Sequence, residues 1–338
     1  MRAAADRIEW PAGDTAARVL GASARERGPL ATGALQVLTV LYGLGVRARN
    51  LAYDRGLLRA QRAHVPIISI GNIVAGGAGK TPFTRWLAGV IAARGKRVAI
   101  LHGGYGSDEP ALHRQWQSSL LVYDQRDRVR AAEQARNAGA DVVLLDDAFQ
   151  HRRLARDLDI VLVSAETHSA RLLPLGPLRE PEASLQRADL LVVTRKTALP
   201  EQARALCEHM QMRYGKPCAV AAILPAGIVN AAATVHGRPP GSAVVVCAIA
   251  RPDLLLAQIE SLQIDVTHML AYPDHHDYTS RDIAHITAAA GDSAILCTEK
   301  DAVKLSGLMD GSRLWVLQQK VVLEQGMAAI TAGLERVL

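Results

Sequence analysis

From Val65 onward, short β-branched runs alternate with amphipathic stretches, and this alternation carries most of the architectural information in the chain. Residues 65–70, 97–101, 141–146, 159–163 and 189–194 read as strands, while 81–93, 126–137 and 200–214 carry helical spacing. Strands that alternate with helices are covered on both faces, so the pattern predicts an α/β fold with a doubly wound parallel sheet. A turn-rich stretch at 235–241, with Gly237, Pro239, Pro240 and Gly241, interrupts the series. Beyond it, strands at 243–249 and 293–298 and helices at 252–262, after Thr279 and near 324–336 predict a second, smaller α/β domain. The expected division is therefore an N-terminal segment 1–62, a main domain 63–236 and a C-terminal domain 237–338. No internal repeat or low-complexity segment interrupts it.

The N-terminal segment has a different pattern. Residues 30–46 carry no charge but are diluted by Gly33, Gln36, Gly43 and Gly45, and Arg47, Arg49, Arg55, Arg59 and Arg62 follow. The run is marginal for a full membrane span. An apolar helix trailing into arginines suits a membrane-associating element on an anionic surface, with guanidinium groups near phosphate head groups. A buried helix packed on the main domain and a true span are the alternatives. The extreme N-terminus, with Arg2, Asp6, Arg7 and Glu9, has no apolar run behind its charges and does not read as a secretory signal.

Composition narrows the class. A chain of 338 residues that is 49% hydrophobic, with only two Phe, builds its core from small aliphatic side chains suited to parallel strands. The net charge of +6 favours an anionic partner, which nucleotide, nucleic acid or acidic lipid would each satisfy. Cys207, Cys218, Cys247 and Cys297 form no C-x-x-C pair and read as reduced core residues rather than metal or redox groups.

The chemistry is concentrated in "GNIVAGGAGKTP", residues 71–82. The pattern G-x-x-x-x-G-K-[ST] asks for glycine where Val74 stands. A strand before the loop, Gly76, Gly77, Ala78 and Gly79 within it, and Lys80 and Thr81 entering a helix nevertheless supply what a polyphosphate needs. Backbone N–H groups turn inward, Lys80 reaches the β- and γ-phosphates, and the Thr81 hydroxyl holds Mg²⁺. The missing glycine changes the entrance to the loop and removes no phosphate ligand. The second half of an ATP site is an acid at the end of a buried strand, and "DVVLLDDAFQH" offers Asp146 or Asp147 for the metal.

These stretches, with "LYG" at Leu41, "DEP" at Asp108, "DRVRAA" at Asp127, "DDAFQHRRLARDLDIV" at Asp146, "LLPLGPLREP" at Leu172, "YPDHHDYT" at Tyr272 and "TEKDAVKL" at Thr298, resemble the tetraacyldisaccharide 4′-kinase family across nearly the whole chain. The resemblance implies a P-loop-like fold and ATP with Mg²⁺ as cofactors. It also implies transfer of the γ-phosphoryl group to the 4′-hydroxyl of an acylated glucosamine disaccharide 1-phosphate, in lipid A biosynthesis at the cytoplasmic face of the bacterial inner membrane. No nucleic-acid partner is implied, and the oligomeric state stays open. By motif match, Asp108 and His275 are the pair that orients the sugar hydroxyl and takes its proton, with His276 as the alternative histidine. Arg179 would neutralise transferring phosphate with Glu180 beside it, or the two form a surface ion pair. Gln150 and His151 line the same cleft or are structural residues at a helix start.

Two stretches depart from the family pattern. "LHGGYGSDEP" has His102, Gly103 and Ser107 where the family has serine, arginine and glycine, and lacks the longer insertion between its motifs. "AIARPD" places Ala248, Ala250 and Arg251 in a turn of the second domain. A shortened lid over the nucleotide is one expectation. A divergent nucleotide- and lipid-binding homologue with little or no kinase activity is the alternative. A P-loop GTPase or metal-delivery ATPase is weakened by the lack of an N-K-x-D motif and of Cys/His clusters.

Overall fold

The computed structural model describes residues 8–11, 29–104, 108–117, 119–167, 171–233 and 236–338. Arg2, Asp6 and Arg7 of the N-terminus, residues 105–107 of the flap stretch and Val235 of the turn-rich stretch lie outside the described residues. The chain forms two compact units, and each gathers separate stretches. The larger takes the described residues of 14–105, 119–221 and 323–338; the smaller takes those of 1–13, 106–118 and 222–322. A linear division after residues 62 and 236 does not separate them. Helix α3 (Asp108–Trp116), for example, follows strand β3 (Val98–His102) in sequence yet belongs to the smaller unit.

In the larger unit, β2 (Ile67–Asn72) is buried at every position, which is why its "IISIGN" shows no alternation. It pairs in parallel with β5 (Val142–Asp146) on one side and β6 (Leu158–Ser164) on the other. Outside β5 lie β3 and then β4 (Leu121–Asp124); outside β6 lies β7 (Leu190–Arg195), all in parallel. The β2–β5 register sets Ile70 opposite Asp146. The loop after β2 and the acids ending β5 therefore leave the same edge of the sheet side by side, where open parallel sheets bind ligands.

Helix α2 (Lys80–Ala92) buries Phe83, Thr84, Leu87, Ala88 and Ile91, one face at helical spacing. Pro82 falls in its first turn, where a missing N–H removes no helical hydrogen bond. The alanines of α4 (Arg128–Asn137), namely Ala131, Ala132 and Ala135, pack with Ala99, Leu101, Val143 and Leu145. On the opposite side Phe149, Val161, Leu191 and Val193 meet Ala203, Cys207 and Met210 of α5 (Pro200–Tyr214). All four cysteines are buried and free, and burial raises the Cys247 and Cys297 thiols well above their ordinary pKa.

Helix α1 (Pro29–Asp54) runs past the end of the apolar run. One face docks on the larger unit: the Tyr42 hydroxyl donates to the Arg179 carbonyl at 2.8 Å, Asn50 donates to Glu180 at 2.9 Å, and Arg152 reaches Asp54 at 2.7 Å. The other face leaves Val37, Leu38, Leu41, Leu44 and Leu51 exposed. Two of the five arginines counted for head groups have protein partners, Arg49 on Glu180 and Arg62 on Asp157. Among the described residues no helix is long and apolar enough to cross a membrane.

In the smaller unit, β9 (Ala243–Cys247) lies in parallel between β10 (Val266–Ala271) and β11 (Ala294–Thr298). Strand β1 (Ile8–Glu9) pairs with β10, and β12 (Leu314–Gln325) with β11. Helix α6 (Pro252–Ser261) begins with proline in its first turn, and α7 (Ser280–Ala290) is closed at its start by a Thr279/Asp282 capping box. Strand β8 (Cys218–Asn230) carries the chain out of the larger unit.

Gly71 marks the tightest approach around the loop. A Cβ there would stand 2.5 Å from the Phe149 Cβ and 2.6 Å from its backbone nitrogen. The Gly71→Ala protein should lose about 1–3 kcal/mol of stability, because backbone cannot yield as a flexible side chain does. Chemical denaturation checks this; an unchanged midpoint would mean that the loop and the Phe149 turn are not in contact in solution.

Candidate active site

The phosphate loop is built as its sequence implies. Gly76, Gly77 and Gly79 have φ of 74°, 76° and 77°, and Gly79 caps α2 in the left-handed region. The Ala78 carbonyl is held from below by the Thr194 hydroxyl at 3.0 Å. The entrance explains the valine. Val74 forms an antiparallel bridge with Leu178, the Ala75 N–H donates to the Pro177 carbonyl at 2.7 Å, and the Arg179 N–H donates to Ile73 at 2.7 Å. A buried β-branched residue suits that short ladder. The "GPLREP" segment is thus a strap along the loop entrance.

Strand β5 ends in two acids with different surroundings. The Asp146 carboxylate is buried, with His102 Nδ1 4.0 Å away. Asp147 sits at φ 52°, an uncommon conformation for a residue with a side chain. The buried Arg128 guanidinium braces that turn by donating to the Asp146 carbonyl at 3.0 Å and the Asp147 carbonyl at 3.3 Å. Arg179 Nη1 lies 2.9 and 2.8 Å from the two Asp147 carboxylate oxygens, and Lys80 Nζ lies 3.5 Å from one of them. Burial alone would raise the Asp147 pKa, but the Lys80 and Arg179 charges outweigh it and hold the carboxyl below its ordinary range. Lys80 also donates to Asn72 Oδ1 at 3.3 Å.

Thr81, Asp146 and Asp147 offer only oxygen donors, the donor set that suits Mg²⁺. Gln150 donates to the Asn72 carbonyl at 2.8 Å and so supports the base of the loop. His151 stands among cationic neighbours: burial first, then Arg128, Arg156 and Arg153, lower its pKa to about 4, leaving it neutral near pH 7. Glu180 does not join Arg179 on Asp147. Its carboxylate is fully buried and accepts from Arg49 at 3.1 Å, Asn50 at 2.9 Å and Arg187 at 2.9 Å. The residue serves as the anchor for α1.

In the smaller unit, Asp108 begins α3 and is buried. His275 Nδ1 lies 3.1 Å from its Oδ2. The structure brings His275, not His276, to this acid: His276 stacks on Tyr272 and faces Asp282 at 3.1 Å. Burial pushes the Asp108 pKa up, but the hydrogen bond from His275 and the charges of Lys300 and Lys304 bring it far below the usual carboxylate range. The same hydrogen bond raises the His275 pKa. The imidazole is 41% exposed and the Asp108 side chain 0%, so the histidine is the member of the pair that a hydroxyl can reach.

Several residues at these sites escape motif reading. Asn72 lies inside "GNIVAGGAGKTP" at a position where the motif demands no particular side chain, and Arg128 in "DRVRAA" resembles any helical arginine. Lys300 and Lys304 belong to α8 (Glu299–Leu305) within the "TEKDAVKL" stretch, whose resemblance and one-turn lysine spacing mark the segment without assigning either lysine a role. The "AIARPD" turn supports the smaller-unit site through its backbone: the Ala248 carbonyl accepts from the His275 N–H at 3.3 Å. Arg251 pairs locally with Asp253 at 2.6 Å.

A glycine-lined loop at a helix N-terminus, a lysine beside it and paired acids on the neighbouring parallel strand define a P-loop nucleotide-binding protein of the α/β class. The profile of the tetraacyldisaccharide-1-P 4′-kinase family, LpxK, matches residues 31–336. The chain belongs to that family. It is 35% identical over 346 residues to a tetraacyldisaccharide 4′-kinase of Anaeromyxobacter dehalogenans, covering 91% of each chain. It is 36% identical over 320 residues to one of Geobacter metallireducens, covering 85% of this chain and 92% of that one. A crystal structure of LpxK from Aquifex aeolicus in complex with ATP shares 27% identity and a TM-score of 0.69 over 90% of this chain and 98% of that one.

The Glu180→Ala protein should lose roughly 2–4 kcal/mol of stability, because the buried Asn50 and the partly buried Arg49 and Arg187 lose their shared acceptor. Its ATP affinity should stay close to that of the unchanged protein. Denaturation and ATP titration together check this; a stable variant that has lost transfer activity would return Glu180 to the reacting groups.

Proposed function

We propose that this protein is an ATP-dependent tetraacyldisaccharide 4′-kinase that phosphorylates the 4′-hydroxyl of an acylated glucosamine disaccharide 1-phosphate in lipid A biosynthesis. The observation that carries the reading is the family match over residues 31–336 combined with an intact phosphate loop and acid pair. Thr81 with Asp146 or Asp147 would hold Mg²⁺, which would supply neutralisation of charge on the nucleotide's phosphates. The inward N–H groups of 76–81 hold the phosphates, and Lys80 and Arg179 neutralise the equatorial oxygens as charge redistributes. Asp108 orients His275 through Nδ1, which leaves Nε2 to take the proton of the acceptor hydroxyl.

The exposed stripe of α1 supports a membrane-facing role. Val37, Leu38, Leu41, Leu44 and Leu51 recur at helical spacing opposite the docked face, and Arg47, Arg55 and Arg59 are exposed beyond. A peripheral position on the cytoplasmic face of the inner membrane suits both this stripe and a lipid substrate.

Incubation with γ-labelled ATP and disaccharide 1-phosphate should transfer label to the lipid. The Lys80→Ala protein should keep its fold and lose at least ~10²-fold in turnover. A folded Lys80→Ala protein with full turnover would sink the phosphate-loop assignment. Sedimentation with anionic vesicles tests the surface, and Leu38→Glu with Leu41→Glu should abolish binding while leaving ATP affinity unchanged. Vesicle binding that survives these substitutions would place the contact elsewhere.

A further inference from the structure

Besides their charge on Asp108, the lysines of "TEKDAVKL" contact His275 directly, at its ring and at its backbone. Thr298 caps α8 and donates to Asp301 at 2.6 Å. The fully buried Asp301 carboxylate also accepts the Tyr278 hydroxyl and the Ala248 N–H, each at 2.9 Å. This ties the helix to Tyr278 at the C-terminal end of the histidine loop and to Ala248 just after β9. Lys300 and Lys304 then project one turn apart toward that loop.

The two lysines act on different parts of His275. Lys304 donates to the His275 and His276 carbonyls, both at 2.9 Å, and so closes a turn in which His275 holds φ at 63°. Such a backbone is uncommon for a residue with a side chain and needs this support. Lys300 Nζ stands 3.1 Å from His275 Nε2, 3.1 Å from Asp274 Oδ1 and 3.6 Å from Asp108 Oδ2. An ammonium group has only donors, so Nε2 accepts from it, and the ring proton resides on Nδ1, facing Asp108. An imidazolium would instead point an N–H at a cation.

We propose that Lys300 is a positioning residue for proton transfer: it selects the Nδ1–H form of His275 and keeps Nε2 unprotonated until an acceptor hydroxyl takes its place. The ammonium keeps Asp274, Asp108 and Glu109 as partners when the hydroxyl arrives. The charged groups around the ring are Asp108 and Glu109 from α3, Asp274, His276 and Asp277 from the loop, and Lys300, Asp301 and Lys304 from α8. The acids favour an imidazolium, and Lys300 is the cation at Nε2 that opposes them; the Asp108 hydrogen bond raises the His275 pKa while the Lys300 charge lowers it.

The inference rests on the reading of Asp108 and His275 as the pair that activates the hydroxyl. Its test is the pH profile of kcat/KM for the unchanged protein, Lys300→Gln, Lys300→Arg and His275→Gln, with ¹⁵N NMR of the histidine ring in the full chain as a readout independent of turnover. In Lys300→Gln the acid limb should move up by about one pH unit, and the His275 titration should move with it. The loss should therefore be largest at low pH and shrink above the limb, and Lys300→Arg should return the limb toward its original position. Uniform loss at every pH with an unshifted limb and an unshifted ring titration would overturn the proposal and leave Lys300 a structural residue. Full activity in His275→Gln would instead overturn the underlying pair, so the two failures are separable.

Discussion

The structure of the larger unit turns on the Asp147 carboxylate. It stands at the end of β5 in a left-handed turn braced by Arg128, with Arg179 on both of its oxygens and Lys80 beside it. Asp147 is partly buried, with 31% of its side chain exposed, and a charge removed from most of its water is costly unless paired, as are cations held near one another. The acid therefore holds two positive groups beside the glycine-lined loop, where the proposed function has phosphate oxygens received. Its influence extends further, because Arg179 belongs to the strap that pairs with the loop entrance at Val74, and the next residue, Glu180, fastens α1. One ion cluster thus connects the nucleotide loop, the acid strand and the helix that carries the exposed apolar stripe.

The smaller unit follows the same logic with the charges reversed in role. Here the buried acid is Asp108, and the groups that stabilise it are a histidine and two lysines. Their placement depends on a second buried acid of this unit, Asp301, which touches no reactive group and instead ties α8 to Tyr278 and to the end of β9. At His275 a carboxylate at one ring nitrogen is set against a cation at the other, two charges that shift the imidazole's protonation in opposite directions.

Much of this was legible in the sequence, and the omissions have physical causes. The strands at β2, β5, β6 and β7 are buried on both faces, so their apolar runs stand out; the helix at Pro200–Tyr214 begins with proline and was read to its boundaries. Strands β10 and β12 were missed because they interleave polar residues such as His268, Gln318 and Lys320 with apolar ones on partly exposed faces. Helices α3 and α8 are short, and their stability comes from capping and tertiary contacts rather than from periodicity. The loop and the acid pair stand out by motif, and the resemblance singles out Asp108 and His275 as a candidate pair, but that the two meet is visible only in the structure. The Glu180 anchor did not, because a buried ion network joins residues 130 positions apart. Nor did the discontinuous units: a sequence read in order cannot show that Asp108, between two strands of one unit, belongs to the other.

The claim that Asp147 holds the loop's cations in readiness for phosphate has a direct test in ATP affinity, measured by calorimetry with and without Mg²⁺ for the unchanged protein and for Asp147→Asn. Removing the carboxylate charge frees Lys80 and Arg179, so metal-free ATP should bind more tightly to the variant, while the additional affinity conferred by Mg²⁺ should largely disappear. Weaker metal-free binding in Asp147→Asn, or an undiminished gain from Mg²⁺, would contradict the account.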